Sequence, residues 1–318
     1  MNTETQNPKI NPNTQGSGLP VDTDVLFSNH KNVYKPRIEK RQRQLLGKLS
    51  FLKAFLTEDE RILQVTTGCS PLSIIEQFLT GWIVFYLNRS LFVFTNKRIF
   101  HIPTKQNFAY RNSIAQILYG DCQSLAVKGR TLVAQYKNGK TEKFVYIAGH
   151  ERKKIATLLK EGPLQAEHSP AAERTHLCPR CTGPLIREQY TCGNCSLAFK
   201  NKKDAKRISI IYPGGGYFYT RHLFLGMGDA LVEVYLSVFV IAALLDVISA
   251  VRGSLFAFVL LSLILAAEKA LTVYHSNHFV KEFVPKDGRV QVRDQQPVSV
   301  KGSEGFEKSD AEAILSVR

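Results

Sequence analysis

The residues of this chain best suited to chemistry are four cysteines arranged as two Cys-x2-Cys pairs. Cys178 pairs with Cys181 and Cys192 pairs with Cys195, and ten residues separate the two pairs. Each pair can form a turn that directs both sulfurs to one ion, and two such turns complete a tetrahedron of thiolates. Because four protein ligands leave no open position for water or substrate, the spacing predicts a structural zinc ion. Iron is the alternative metal for the same four ligands.

The segment that contains these cysteines, residues 176–200, resembles a zinc ribbon. Gly183 and Pro184 are expected to turn the chain after the first pair, and residues 185–190 are predicted to form a strand. Two disulfides would require an oxidising compartment, and a redox Cys-x2-Cys motif would require a βαβ setting, so neither is favoured. His176 is predicted to be exposed to solvent, because the ion needs no fifth ligand.

Residue patterns typical of an enzyme do not accompany the cysteines. The sequence has no Ser/His/Asp, Cys/His or paired-carboxylate arrangement of the kind used in nucleophilic or acid–base catalysis. Glu233 and Glu268 lie within apolar runs, so a small transporter or enzyme that uses them is the least favoured alternative. We therefore predict that the protein is not an enzyme.

Two long apolar runs follow the metal motif and predict a pair of membrane-spanning helices within residues 229–280. The runs cover residues 230–251 and 254–274, and each has about the twenty residues needed to cross a bilayer. Only Arg252 and Gly253 separate them, which predicts a tight hairpin. A buried helical hairpin of a soluble protein would also be apolar and is the alternative.

The charge of the chain predicts a negatively charged partner, either nucleic acid or an anionic membrane surface. Its formal net charge is +15, from 42 lysine and arginine residues against 27 acidic ones. Basic residues cluster before the first apolar run and after the second, which predicts a bacterial inner-membrane protein with both termini in the cytosol. The alternative is a membrane-tethered nucleic-acid-binding protein. That protein would use the ribbon and the adjacent basic residues Lys200, Lys202, Lys203, Lys206 and Arg207.

Residues 208–228, which precede the first apolar run, are rich in glycine and aromatic residues and are expected at the membrane interface. The motif PGGGYFY at residues 213–219 resembles the PGxGxFYxG signature of small two-helix membrane proteins, the transmembrane-two domain group. Arg221 stands where that signature ends in glycine. The resemblance implies a two-helix membrane anchor and does not imply any catalytic or binding residue.

Residues 57–162 contain short runs of β-branched and aromatic residues, which predict about seven antiparallel strands and a final helix. One of these runs, residues 82–87, is apolar on both strand faces, and Asn138-Gly139 is a strong hairpin signal. The acidic lead-in TEDERIL and the strand LFVFTNKRIF resemble the bacterial and GRAM-like forms of the pleckstrin-homology superfold. This resemblance implies an antiparallel β-barrel or sandwich with a C-terminal helix, and hence a multidomain α+β membrane protein.

The function of such a β domain does not follow from its fold. Relatives of this kind bind anionic lipid head groups through basic residues in strand-connecting loops, whereas the bacterial forms also resemble docking or oligomerisation modules. We therefore predict a non-enzymatic, membrane-anchored docking or scaffold protein that binds a protein partner or anionic lipid and could form homo-oligomers. The basic residues predicted to bind are Lys97, Arg98, Lys105, Arg111, Lys128 and Arg130.

The remaining segments are predicted from composition and periodicity. Residues 1–36 are expected to be a disordered tail without a signal peptide. Residues 37–56 are expected to form a basic amphipathic helix, either lying on the membrane surface or, as we favour, packed on the β domain. Residues 163–175 are predicted to be a linker, and residues 285–318 a polar tail with a short helix at 309–317.

Overall fold

A computed structural model describes residues 18–71, 88–162, 164–170, 172–287 and 290 of the 318-residue chain. Over these residues the protein is a mixed α+β structure with two antiparallel sheets, followed by a long helical hairpin. The start of the predicted tail, the predicted strand 82–87 and the predicted helix 309–317 lie outside the described residues.

The N-terminal residues from Gly18 onward are ordered, which corrects the prediction of a disordered tail for residues 18–36. A short helix α1 (Thr23–Leu26) follows its N-cap Asp22, whose carboxylate accepts a hydrogen bond from Val25 N at 3.0 Å. Leu26 and Phe27 are buried in the core. Their burial stabilises a segment whose polar composition alone would not predict a fold.

The predicted helix 37–56 is interrupted and packs on the sheet unit. Helix α2 (Pro36–Leu46) begins at a proline, which is favourable at the first helical position, and a 3-10 helix follows at Ser50–Phe55. The break after Gly47 reorients the chain, so that both helices bury apolar side chains in one core. Those side chains are Leu45, Leu46, Leu49, Leu52 and Phe55.

The described residues form eight strands, β1 (Ile62–Cys69), β2 (Arg89–Thr95), β3 (Arg98–Pro103), β4 (Ile114–Leu118), β5 (Cys122–Lys128), β6 (Thr131–Tyr136), β7 (Thr141–Phe144) and β8 (Thr175–Leu177). They form two sheets with the orders β1-β2-β3-β4-β8 and β5-β6-β7. Every neighbouring pair in both sheets is antiparallel. The helix α3 (Arg152–Glu161) follows β7.

The first sheet is the central layer of the β domain and is covered on both faces. Because side chains alternate along a strand, Leu91 and Val93 of β2 pack against the N-terminal helices, whereas Phe92 and Phe94 pack against the second sheet. Ile155 of α3 packs in the same core as Phe92 and Phe94. The antiparallel strands and the final helix agree with the prediction, but the described strands form two sheets and do not close into a barrel.

The predicted linker 163–175 is held against the β domain in its described part, which corrects that prediction. Gln165 N donates to Asn96 O at 2.7 Å, and Gly120 N donates to the carbonyl oxygen of Glu167 at 3.1 Å. The linker ends in β8, which pairs with β4. The chain therefore enters the cysteine segment directly from the first sheet.

The C-terminal half of the chain is helical. Two short helices, α4 (Lys202–Ile211) and α5 (Gly215–Tyr219), precede the long helices α6 (Leu223–Ile248) and α7 (Ser254–Val280). Both long helices are long and apolar enough to cross a membrane, and only 11% and 6% of their most apolar windows are buried. The core helix of a soluble protein would hide this surface, so the exposed apolar faces favour association with a membrane.

The glycine-rich motif before α6 allows close contacts between helices. Gly214 adopts a φ of 64°, and a Cβ atom at this residue would lie 2.1 Å from the carbonyl oxygen of Gly226. A Cβ atom on Gly216 would lie 2.2 Å from Ser209 Oγ and 2.7 Å from Ser276 Oγ. Glycine at these two positions is therefore required for α5 to pack between α4, α6 and α7.

Candidate metal centre

The four cysteine side chains converge, as their spacing predicts. Their sulfur atoms all lie within 4.8 Å of one another. The Cys178–Cys195 and Cys181–Cys192 sulfurs are each 3.5 Å apart, so the closest pairs join the two motifs. Metal–sulfur bonds of about 2.3 Å place the ligands of a tetrahedral ion about 3.8 Å apart. The four cysteines could therefore hold a single metal ion such as zinc.

The two Cys-x2-Cys motifs form the same local turn, which is what aligns the thiols. Thr182 N donates to Cys178 O, and Ser196 N donates to Cys192 O, each at 2.9 Å. Thr182 and Ser196 directly follow the second cysteine of their motifs and have positive φ values of 60° and 56°. The repeated conformation gives the site an approximate internal symmetry.

Protonation of two of the thiols opposes metal binding and couples it to pH, whereas backbone N–H groups of Cys195 and Asn194 outweigh burial at Cys192 and lower its pKa. Burial raises the pKa of the Cys178 thiol and raises that of Cys181 to about 11. Backbone N–H groups of Arg180 and Cys181 donate to the Cys178 sulfur and partly offset its burial. Because a metal ion binds thiolates, its binding must release these protons, and its affinity falls as the pH falls.

The small core around the cysteines includes an aromatic residue from beyond α7. Phe283 is buried with Cys178, Cys192 and Phe199. Its ring meets the Phe199 ring edge-on, with centroids 5.6 Å apart and planes at 85°, an arrangement favoured by the ring quadrupoles. The hydrophobic core of the cysteine segment is therefore completed by the chain that leaves the long helical hairpin.

Backbone hydrogen bonds reinforce the contact between the cysteine segment and the chain after α7. Lys200 N donates to Val284 O at 2.9 Å, and Lys286 N donates to Ala198 O at 3.0 Å. On the opposite side, β8 joins the segment to the first sheet. We name residues 281–286 the clasp, because they connect the cysteine segment with the end of α7.

A buried ion-pair network extends from the clasp into the β domain. The Glu282 carboxylate lies 3.5 Å from Arg174 Nη1 and 3.4 Å from His176 Nε2. Burial opposes ionisation of Glu282, but Arg174 and His176 outweigh that effect and hold its pKa well below the usual range. The His176 side chain is only 12% exposed, so the prediction that it faces solvent is wrong.

The same network continues into both sheets through Arg174. Arg174 Nε donates to Glu142 Oε2 at 3.1 Å, and Tyr136 OH donates to the same oxygen at 2.7 Å. Arg174 Nη1 lies 3.0 Å from His101 Nδ1. Burial, together with the nearby Arg174 cation, lowers the pKa of His101 to about 3, which keeps this imidazole neutral. The predicted linker thus supplies the central cation of the domain.

A second group of possible metal ligands lies between α6 and α7. Oxygen atoms of Asp229, Glu233 and Glu268 lie within 4.8 Å of one another. Lys269 Nζ donates to Glu233 Oε2 at 2.6 Å, and Gly214 N donates to the same atom at 3.1 Å. Lys269 therefore pairs with Glu233 and not with its neighbour Glu268, and the pair joins both long helices to the glycine motif. Pairing of this kind reduces the high cost of burying a charge.

The six residues predicted to bind lipid or a partner do not all lie on the surface. The Arg98 side chain is 13% exposed and pairs with Glu60, with Nη2 2.7 Å from Oε2. Arg111 is half-buried, and its Nη2 lies 2.8 Å from His222 Nε2. These two arginines therefore stabilise the structure, which corrects their assignment to an exposed basic surface.

Three of the other four predicted binding residues are exposed, whereas Lys97 is nearly as buried as Arg98 and is engaged in an ion pair. Lys97 lies 3.5 Å from a carboxylate oxygen of Glu167, and its side chain is 15% exposed. Lys105, Lys128 and Arg130 are exposed. Their role in binding lipid or a partner stays a prediction.

The basic residues after the cysteine segment also include both side chains with partners and exposed side chains. Lys200 donates to Tyr219 O, and burial lowers the pKa of Lys200 to about 8. Lys202 pairs with Glu188 at 3.1 Å. The three remaining residues of the run are exposed on α4, namely Lys203, Lys206 and Arg207.

Comparison of the chain with protein-family models, curated proteins and solved structures found no match. The resemblances to the pleckstrin-homology superfold and to the transmembrane-two domain group therefore rest on the motifs described above. What the structure adds is two apolar helices, a four-cysteine cluster and two antiparallel sheets.

The clasp is the part of the site that the sequence did not predict. Its residues Glu282 and Phe283 lie between the second apolar run and the polar tail and belong to no motif. One signal was available: Phe283 and Val284 form an apolar pair that Lys281 and Glu282 separate from the predicted span, in a region otherwise rich in charge. Such a pair indicates a segment that returns to a hydrophobic core.

Proposed function

We propose that the chain is a non-enzymatic docking protein of a bacterial inner membrane. In this proposal the pleckstrin-homology-like β domain binds a protein partner or anionic lipid head groups on the cytosolic side. The helices α6 and α7 cross the bilayer as a hairpin, and the cysteine segment holds a structural zinc ion. The observation that carries the proposal is the clasp, which links the cysteine segment to the end of the hairpin through Phe283 and two backbone hydrogen bonds.

Zinc is the metal that suits this arrangement best. Four thiolate ligands in two Cys-x2-Cys turns form a tetrahedral site that is closed to substrate, which is typical of structural zinc. A structural zinc ion contributes directly to folding, because its four-ligand site is absent from the unfolded chain and its binding energy therefore favours the folded state. We therefore propose that zinc holds the ribbon rigid, and that the rigid ribbon fixes the β domain relative to the bilayer.

The topology of the hairpin supports a cytosolic β domain. The chain enters α6 and leaves α7 on the side where the ribbon and the β domain lie, and Arg252 alone supplies charge at the opposite turn. Exposed basic residues Lys203, Lys206 and Arg207 precede the hairpin on the same side as the ribbon. This asymmetry follows the positive-inside rule.

The proposal is tested by purifying the full chain from bacterial membranes in mild detergent. Zinc per chain and the co-purifying protein, lipid and nucleic acid are then measured together. We expect one zinc ion per chain and the retention of one defined protein or of anionic lipid. The Cys181→Ser and Cys195→Ser double variant should lose both the zinc and the retained partner.

Nucleic acid that is retained at physiological salt and removed by nuclease would contradict the docking proposal. It would favour the alternative of a membrane-tethered nucleic-acid-binding protein, in which α4 and the ribbon make the contact. The control is a charge reversal at Lys203 and Lys206, which should abolish nucleic-acid retention without changing the zinc content. Phosphate contacts of this kind would also weaken steeply with added salt.

A further inference from the structure

Three acidic side chains meet where α6 and α7 face each other. Asp229 and Glu233 are four residues apart on α6 and therefore lie on one face of that helix. Glu268 and Thr272 share a face of α7 for the same reason. Oxygen atoms of the three acids lie within 4.8 Å of one another, and we name Asp229, Glu233 and Glu268 the carboxylate cluster.

A hydroxyl group from α7 connects two members of the carboxylate cluster. Thr272 is buried, and its Oγ1 lies 3.1 Å from Asp229 Oδ2 and 3.2 Å from Glu268 Oε1. Asp229 belongs to α6 and Glu268 to α7, so this hydroxyl bridges the two helices. It holds two carboxylates toward each other although their charges repel.

The carboxylate cluster stays negatively charged when its paired lysine is included. Lys269 supplies one positive charge, with Nζ 2.6 Å from Glu233 Oε2. Three ionised carboxylates against this one ammonium group leave a formal charge of −2. Like charges repel strongly in a partly buried site, because little water is present to screen them. One divalent cation would neutralise the excess.

Two buried oxygen atoms of the cluster lack a hydrogen-bond donor. The Glu233 side chain is 1% exposed, and its Oε1 has no partner among the described residues, because Lys269 and Gly214 N both donate to Oε2. Glu268 Oε2 is also buried and has no donor in the same part of the chain. A buried carboxylate oxygen without a partner is costly. These oxygens, one on each helix, therefore indicate a bound positive charge.

The chemistry and spacing of the oxygen atoms suit a hard divalent cation. Carboxylate and hydroxyl oxygens are preferred by magnesium, manganese and calcium, in contrast to the thiolates of the ribbon, which prefer zinc. Two oxygens bound to one ion lie at most two metal–oxygen distances apart, which is about 4.2 Å for magnesium and about 5 Å for calcium. The separations within the carboxylate cluster, up to 4.8 Å, agree with this limit.

A cation can reach the carboxylate cluster from the side of the ribbon. Asp229 and Glu268 are half-buried, whereas Glu233 is buried behind them. Between the cluster and the hairpin turn, α6 and α7 carry a single charged side chain, Asp246. The cluster therefore lies at the ribbon-side border of the apolar stretch. An ion that enters from that side does not have to cross the stretch.

From these features we propose that Asp229, Glu233 and Glu268 bind one hard divalent cation of the magnesium, manganese and calcium class. The ion joins α6 to α7 beside the glycine motif and differs from the ribbon zinc in its ligands and its place. Thr272 is a positioning residue, because its hydroxyl contacts two of the carboxylates. This inference goes beyond the docking function and does not rest on it.

The test titrates the zinc-loaded full chain with Mn²⁺ in nanodiscs of neutral phosphatidylcholine. Electron paramagnetic resonance follows the free ion, whose sharp signal is lost on binding, and the neutral lipid excludes binding to anionic head groups. We expect one Mn²⁺ per chain, and competition with Mg²⁺ and Ca²⁺ then ranks the three ions. Wild-type protein that leaves all of the Mn²⁺ free would overturn the proposal.

The decisive comparison is between two carboxylates of the hairpin. Loss of a group that only orients a ligand costs about 10- to 100-fold in metal affinity, so Glu268→Gln, which removes a ligand, should cost at least about a hundredfold. Asp246→Asn is the matched control, because it makes the same chemical change at an exposed position of α6. It should bind Mn²⁺ as the wild type does. Equal affinity in the two variants would refute the site.

Thermal unfolding distinguishes a metal site from a carboxyl group that is simply protonated. Without added Mn²⁺, Glu268→Gln should unfold at a higher temperature than the wild type, because it relieves repulsion within the cluster. Mn²⁺ should raise the unfolding temperature of the wild type but not that of the variant. A protonated Glu268 predicts that the substitution changes neither temperature, and that result would argue against the site.

The hydroxyl group of Thr272 gives a separate test of positioning. Thr272→Val should weaken Mn²⁺ binding by about tenfold, whereas Thr272→Ser, which keeps the hydroxyl, should restore it. Equal loss in both variants would contradict the positioning role. Zinc content and the co-purifying partner are measured in every variant. If these are retained while the wild type fails to bind Mn²⁺, the docking function stands and the cation site is wrong.

Discussion

Replacement of Phe283 by alanine should loosen the metal site without altering any cysteine. Phe283 is 7% exposed, and its ring lies 5.6 Å from that of Phe199 and 4.9 Å from that of His176. Truncation of a buried phenylalanine costs about 3–5 kcal/mol, and we take about 3 because this core is small and lies near the surface. The ribbon would then open about a hundredfold more often, since about 1.4 kcal/mol corresponds to tenfold.

The assay is the rate of zinc transfer from the full chain in nanodiscs to a chromogenic chelator. When opening of the ribbon limits the transfer, the first-order rate should rise about a hundredfold in Phe283→Ala. Phe256→Ala is the matched control, because it removes the same atoms from a side chain of α7 that is 74% exposed. The reasoning is refuted if the two variants release zinc at the same rate, since the ribbon would then be independent of the clasp.

Three further predictions concern the buried charges. Acidification from pH 7 to 5 should destabilise the β domain by about 2 kcal/mol through His101 alone. The pKa of His101 is about 3 in the folded protein and about 6.5 in the unfolded chain. The unfolded chain therefore binds a proton that the folded protein does not, and stability is lost as the pH falls below about 6.5. Denaturant unfolding at both pH values checks this, and His101→Gln should remove that share of the dependence. Glu282→Gln should destabilise the protein by about 1.5–3 kcal/mol, because it removes one of the two carboxylates that Arg174 contacts. The cost should shrink when Arg174→Met is added, and thermal unfolding of the wild type, both single variants and the double variant tests this. Lys269→Met should lower the amount of folded protein recovered from membranes by leaving a buried carboxylate unpaired, and Glu233→Gln should restore it; equal recovery of all three proteins would contradict the pairing.

The cysteine cluster and the two long helices could be predicted because their signals are local. The Cys-x2-Cys spacing determines the turn and brings two ligands together within four residues, and apolar length determines whether a helix can cross a bilayer. Strand β2 was also predictable from its residue types, although its burial on both faces required the α2 segment as a third layer. Leu26 and Phe27 of that layer come from residues predicted to be a disordered tail, whereas most of α2 lies in the segment predicted to pack on the β domain.

The clasp and the ion-pair network could not be predicted, because their members are distant in sequence. His176 and Glu282 are 106 residues apart, and nothing near either of them indicates the other. The same limit explains why Arg98 and Arg111 were assigned to a binding surface. The sequence does not distinguish an arginine with a partner from an exposed one, because the partners, here Glu60 and His222, are distant in the chain.

We propose that zinc in the ribbon holds the β domain to the helical hairpin through the clasp. Amide hydrogen exchange of the full chain in nanodiscs, before and after zinc is removed by a chelator, tests it most directly. Zinc removal should accelerate exchange in the ribbon and also at Lys286 N, whose hydrogen bond runs to Ala198 O, while α6 and α7 stay protected. Unchanged protection of the clasp after complete loss of zinc would contradict the claim.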